Sequence, residues 1–198
     1  MILWIMARFK EFDTDVVLDK AIDVFRSKGF KATSVQDLVS AMGINRGSIY
    51  DTFGNKIRLF NLALSRYQID APSQKLLNNA DTGNPRKEIE DFFNGLLNRY
   101  GCSEEKRGCL ITNSIVELAN QDKTLTVHFK KHIKNLEDAL YTLIRRGQET
   151  GDITPWRNPR SLARTILASA QGMTIISKVN PSQEVLSDIA KTVLSSLD

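Results

Sequence analysis

The sequence is poor in residues that staple a chain or bind metals. It has two cysteines, Cys102 and Cys109, and two histidines, His128 and His132, in 198 residues. Two cysteines make no disulfide framework, and they fit a reducing compartment such as the cytoplasm. A thiol switch across the loop at 101–108, with Lys106 and Arg107 lowering a thiol pKa, is the sharper reading of the pair; idle cysteine is the plainer one. The histidines stand four apart on one helical face, a spacing that can bind metal. A metal site needs three or four ligands, no third stands near, and lysines surround the pair. They are read as surface residues, with no metal and no cofactor. No nucleophile–base pair or phosphate loop supports an enzyme. The longest apolar stretch, residues 1–6, is far short of the roughly 20 residues that span a bilayer, so no membrane partner is expected. It lacks the basic start and cleavage site of a signal peptide and reads as a loose N-terminal arm.

Strand-like alternation and internal repeats are also missing. What is present is helical periodicity in an ordinary globular composition, 41% hydrophobic and 25% charged, enough to bury a core. The net charge of +4 tolerates nucleic acid without requiring it. A first helix is predicted over 14–28, with Val17, Leu18, Ala21, Ile22 and Phe25 on its core face and Gly29 as its stop. Thr33 or Ser34 caps a second helix through Leu38 and Met42, which Gly43 ends. Asn45 caps a third helix over 46–53, and Asn55 a fourth that starts at Lys56 and ends between Asp70 and Asn79, with Pro72 as its end or a kink. The turn-rich stretch 79–85 marks a boundary in sequence. Five further helices are expected near 86–100, 108–120, 123–150, 159–178 and 182–197, for about nine in all.

The informative segment is 33–59, TSVQDLVSAMGINRGSIYDTFGNKIRL. Two short helices joined at Gly43 make a helix-turn-helix. Leu38, Ala41, Ile44, Ile49 and Phe53 are expected to form its small core, with Ala41 at a close helix crossing. Gly43 suits a positive φ that a side chain would resist. The third helix then turns outward Arg46, Gly47, Ser48, Tyr50 and Asp51, the small and polar groups that enter a major groove from a recognition helix. A glycine inside a helix costs about 1 kcal/mol against alanine. Close approach to DNA explains Gly47, and so does a packing contact.

Here the chain resembles the TetR family of regulators. Thr33, Ala41, Gly43, Ile44, Gly47, Tyr50, Phe53, Lys56 and Leu59 follow that family's DNA-binding pattern in order and spacing, over about 16–64. The rest of the chain matches only in length and helix count. At Thr52 the family often carries His or Tyr; threonine keeps a hydroxyl for a phosphate and loses the ring. The resemblance implies an all-α fold: an N-terminal three-helix helix-turn-helix domain at 8–60, and a C-terminal helical domain at 61–198 that binds an effector and dimerises.

The chemistry suggests roles for these residues. Arg46 can donate two hydrogen bonds to a guanine edge. Thr33, Ser34, Ser48, Tyr50 and Thr52 offer hydroxyls to phosphates, and Lys56 an ammonium beside a helix N-terminus. Asn45 and Gly47 complete the expected DNA surface. Simple capping, packing or solvent exposure is the plainer account of each. A two-fold operator needs a dimer, and Leu162, Ile166, Ser169, Gly172, Met173, Ile176, Leu186, Ile189 and Val193 on the last two helices are its expected interface. The same stripes would also suit a monomer core. Phe92, Leu96, Tyr100, Thr112, Asn113, Val116, Phe129 and Met173 are expected to line an effector pocket. The expected protein is a cytoplasmic one-component repressor: a homodimer on palindromic double-stranded operator DNA, released by a small molecule. The alternatives are a helical ligand carrier and a DNA-binding factor without effector control.

Overall fold

The computed structural model describes residues 12–101 and 107–198. The N-terminal apolar arm, Cys102 and Lys106 lie outside the described residues. Among those described, every regular element is helical: α1 Thr14–Ala32, α2 Val35–Met42, α3 Arg46–Phe53, α4 Lys56–Ile69, α5 Pro72–Asn79, α6 Pro85–Tyr100, α7 Leu110–Leu118, α8 Lys123–Thr150, α9 Pro159–Ile176 and α10 Gln183–Leu194, with a closing 3-10 turn, Ser195–Leu197. The α-helices number ten rather than about nine. The extra one arises at Pro72. Proline has no N–H to give to the preceding turn, so α4 stops at Ile69 and Pro72 opens α5, at a position where a helix needs no N–H.

The chain divides into two compact units, 1–66 and 67–198, inside α4. In the first unit the predicted face of α1 is buried, through Val17, Leu18, Ala21, Ile22 and Phe25. Gly29 breaks α1 at φ 80°, and one further turn follows to Ala32. Gly43 adopts the left-handed conformation, φ 72°, and ends α2. The helix-turn-helix core is Leu38, Met42, Ile49 and Phe53. Ala41 is exposed and Ile44 half-buried, so the close crossing expected at Ala41 is absent. Phe25, Phe30 and Phe60 cluster, with Phe60 4.8 Å from Phe30 and 5.0 Å from Phe25 between ring centroids. Arg66 grips α1 with a bidentate bond to Asp19, at 2.7 and 2.8 Å, and an ion pair to Asp15.

The second unit is built around α8. Its buried stripe of Leu136, Ala139, Leu140, Leu143 and Ile144 packs with Ile89, Phe93 and Leu96 of α6 and with Leu162, Ala163, Ile166 and Ala170 of α9. The turn-rich segment 79–85 lies within this unit, between α5 and α6. Arg146 of α8 holds it by donating to the carbonyls of Ala80 (2.8 Å) and Gly83 (2.9 Å). Near the end of α8, Gly147 lets Ile153 fold back closely. A β-carbon there would sit 2.6 Å from two carbons of the Ile153 side chain. Alanine would raise helix propensity by about 1 kcal/mol, but overpacking costs about 1–3 kcal/mol. Gly147→Ala is therefore expected to lower the urea midpoint without changing the slope. A raised midpoint would show that Ile153 moves aside freely.

Candidate nucleic-acid interface

Two short helices present the site. Ser34 caps α2 in a reciprocal capping box: its hydroxyl accepts from the Asp37 N–H at 3.1 Å, and its own N–H donates to the Asp37 carboxylate at 2.9 Å. Lys28 of α1 donates to the same carboxylate at 2.6 Å. That bond, with the bonds from Ser34, holds the Asp37 carboxyl well below the usual carboxylate range and ties α2 to α1. Asn45 caps α3 by accepting from the Ser48 N–H at 2.8 Å. A β-carbon at Gly47 would stand 3.2 Å from the Asn45 side-chain oxygen. Glycine there leaves room for the cap and keeps the start of α3 bare.

The outer face of α3 carries Asn45, Arg46, Gly47, Tyr50 and Asp51, all exposed, with Ser48 and Thr52 half-buried. The Arg46 guanidinium lies 5.6 Å from the centre of the Tyr50 ring, one helical turn on. The ring stacks beneath the charge and limits where it can swing. This face can offer a planar bidentate donor and several hydroxyls to a polyanion.

Two of the expected DNA contacts, Thr33 and Lys56, have their polar groups engaged within the protein. Thr33 is 1% exposed, and its hydroxyl donates to the Gly29 carbonyl at 2.5 Å. The break at Gly29 frees that carbonyl, and the hydroxyl satisfies it. Lys56 points inward: its ammonium donates to the carbonyls of Phe30 (2.9 Å) and Thr33 (2.8 Å) and lies 4.4 Å from the centre of the Phe30 ring. It serves as a tie between α4 and the end of α1. Ser34 stays at the surface, but its hydroxyl proton goes to Asp37. Arg58 was missed. It is exposed in the first turn of α4, its side chain against Gly54. An arginine three residues after the capping Asn55 was a readable signal.

In the second unit a cavity of about 40 Å³ is lined by Phe92, Leu96, Tyr100 and Thr112, four of the expected effector residues, and by Tyr67, Cys109, Ile111 and Gln171 among others. The other four lie off its wall. Val116 is 76% exposed, Phe129 and Met173 are buried elsewhere, and Asn113 donates to the Arg107 carbonyl and accepts from Lys178. Of the expected dimer residues, Leu162, Ile166, Met173 and Leu186 are buried in this unit's own core, because they occupy the side of their helices turned toward α6 and α8. Ser169, Gly172, Ile176, Ile189 and Val193 remain partly open. Of the histidines, His128 is exposed, and His132 shares a 3.2 Å hydrogen bond with Gln68. Among the described residues no three His, Cys, Asp or Glu side chains gather to hold a metal.

Residues 17–63 match the profile "Bacterial regulatory proteins, tetR family", and residues 85–193 match "Tetracyclin repressor-like, C-terminal domain". The chain belongs to the TetR family. It is 36% identical to YezE, an uncharacterized HTH-type transcriptional regulator of Bacillus subtilis strain 168, across 98% of this chain and 100% of that one. It is 32% identical to the HTH-type transcriptional repressor ComR of Escherichia coli K12, across 94% of this chain and 90% of that one. Its fold matches the TetR family regulator CifR in complex with operator DNA, with TM-score 0.82, 24% identity, and coverage of 96% of this chain and 100% of that one. This TetR-family protein is a DNA-binding transcriptional regulator, not an enzyme.

The inward Lys56 generates a distinct expectation. Lys56→Ala removes two charge-assisted hydrogen bonds and should destabilise the protein by about 1–3 kcal/mol. It should leave the salt dependence of DNA binding as steep as before, since that slope counts phosphates neutralised. A flattened slope in fluorescence anisotropy titrations would place the ammonium on the DNA instead.

Proposed function

We propose that this TetR-family regulator is a cytoplasmic repressor that binds a two-fold operator as a homodimer and is released by a small molecule held in its second unit. The observation that carries the DNA reading is the outer face of α3, where Arg46 stands exposed over Tyr50 with no side chain at Gly47 to keep a groove away. Arg46 reads a guanine edge. Asn45, Ser48, Tyr50 and Thr52 meet phosphates or sugars, with Ser34 at the margin. Arg58 supplies the cationic phosphate contact expected of Lys56. The repressor ComR supports the sign of regulation. CifR, whose complex contains 26-bp operator DNA, supports the mode of binding.

The dimer reading rests on an open stripe. Along α9, Ala168, Ser169, Gly172, Ile175 and Ile176 follow helical spacing, and Val179 continues it past the helix end. Ile175 is 50% and Val179 78% exposed. Ile189 and Val193 of α10 are partly open as well. Two copies pairing through these helices would form a four-helix bundle with a self-complementary patch.

Two experiments test these readings. Selection from random duplex DNA should return a palindrome with half-sites about 34–36 Å apart. On that site Arg46→Ala should cost about 1–3 kcal/mol per half-site and relax one base pair. Unchanged affinity and sequence preference would refute the assignment. For assembly, a β-carbon on Gly172 meets nothing within 4 Å in its own chain. Gly172→Trp should therefore fold normally, sediment as a monomer and bind operator poorly. A dimer that survives the tryptophan would locate the contact elsewhere.

A further inference from the structure

The cavity in the second unit has an unusual inventory. Among the described residues lining it there is no Asp, Glu, Lys or Arg. Its polar atoms come from Tyr67, Tyr100, Thr112, Gln171, Thr174 and neighbouring neutral groups. Arg99 does not line it; its guanidinium stacks 4.4 Å from the centre of the Tyr67 ring and donates to the Asp70 carbonyl. The interior disfavours charge. Burial raises the Tyr100 phenol well above its usual range, and burial, aided by His128, lowers the His132 imidazole. Both groups are neutral at pH 7. An ion entering here would lose its water, and no charged side chain lines the cavity to receive it.

The hydroxyls of Tyr67, Tyr100, Thr112 and Thr174 are also already paired. The Tyr67 and Tyr100 hydroxyls share a buried hydrogen bond of 3.1 Å. Thr112 donates to the Gln171 amide oxygen at 2.5 Å, and the Thr174 and Thr112 hydroxyls are 3.2 Å apart. A cavity of about 40 Å³ holds a few waters at most. Anything larger must part its walls, and the tyrosine pair is a seam closed by one neutral hydrogen bond. A ligand oxygen set between the two hydroxyls would bond both only if they stood about 5 Å apart. Tyr67 belongs to α4, which runs unbroken back to Lys56. A ligand that shifts the Tyr67 backbone and not only its ring would favour one position of α4 over another, which is what an effector needs.

We propose that the effector is an uncharged small molecule with an apolar body and one hydroxyl or carbonyl oxygen, which enters this cavity by inserting that oxygen between the Tyr67 and Tyr100 hydroxyls. The proposal rests on the reading that an effector releases the operator. Its test uses the full-length protein and four probes of one shape: benzyl alcohol, toluene, benzoate and benzylamine. Calorimetry should show benzyl alcohol binding at least tenfold tighter than either ion. Tyr100→Phe should weaken benzyl alcohol about three- to tenfold, the worth of one hydrogen bond, and leave toluene unchanged. Ala170→Leu, which fills the cavity from α9, should abolish binding of both. Benzoate or benzylamine binding as well as the alcohol would overturn the proposal. So would no binding by the alcohol, or an equal effect of Tyr100→Phe on alcohol and toluene. Release of labelled operator is measured separately. Release by an ion alone keeps effector control and overturns the ligand class. Binding of the alcohol to the cavity without release upholds the ligand class and overturns effector control by this site.

Discussion

An ammonium group drawn partly out of water needs acceptors, and Lys56 finds two in carbonyls near the end of α1. A helix leaves its last carbonyls without partners, and the break at Gly29 adds another that Thr33 satisfies with its hydroxyl. Lys56 donates to Phe30 and Thr33 and stacks on the Phe30 ring, whose far neighbour is Phe60 of α4. One side chain thus joins the end of α1 to the beginning of α4 at the point where α2 starts. The capping box of Ser34 and Asp37, held by Lys28, fixes α2 to the same corner. The direction of α3 follows from that corner, since α3 packs through Ile49 and Phe53 onto the core the others form.

The consequence is a division of labour among the cations. Lysines 28 and 56 are engaged in holding the fold, whereas Arg46 and Arg58 are exposed. This suits the chemistry. A flexible ammonium can satisfy two carbonyls in an awkward corner, while a planar guanidinium reads a base edge or a phosphate through paired donors. The second unit shows a parallel economy. On α9, Leu162, Ile166, Leu167 and Met173 turn inward, whereas Ala168, Ser169, Gly172 and Ile175 stay at least partly open. One helix can then complete a monomer core and still permit close approach by a second copy.

The sequence by itself determined the family, the helical class and the turn chemistry. Each of these is local. Gly43 takes a positive φ, Asn45 caps α3, and the stripe of α1 is buried, because backbone freedom, capping and helical period depend on neighbours within a few residues. The outward face of α3 was legible for the same reason. Tertiary structure alone decided which polar groups were already taken. Thr33 and Lys56 look like DNA contacts in the linear pattern, but their partners, at Gly29 and Phe30, were supplied by the bend of α1. It also decided which side of α9 faces its own core: the spacing puts Ile166 and Gly172 on different sides of the helix, and only the packing against α8 makes the Ile166 side the inward one. The Tyr67–Tyr100 pair joins residues on α4 and α6, and only the folded chain brings their hydroxyls together in a space without charge.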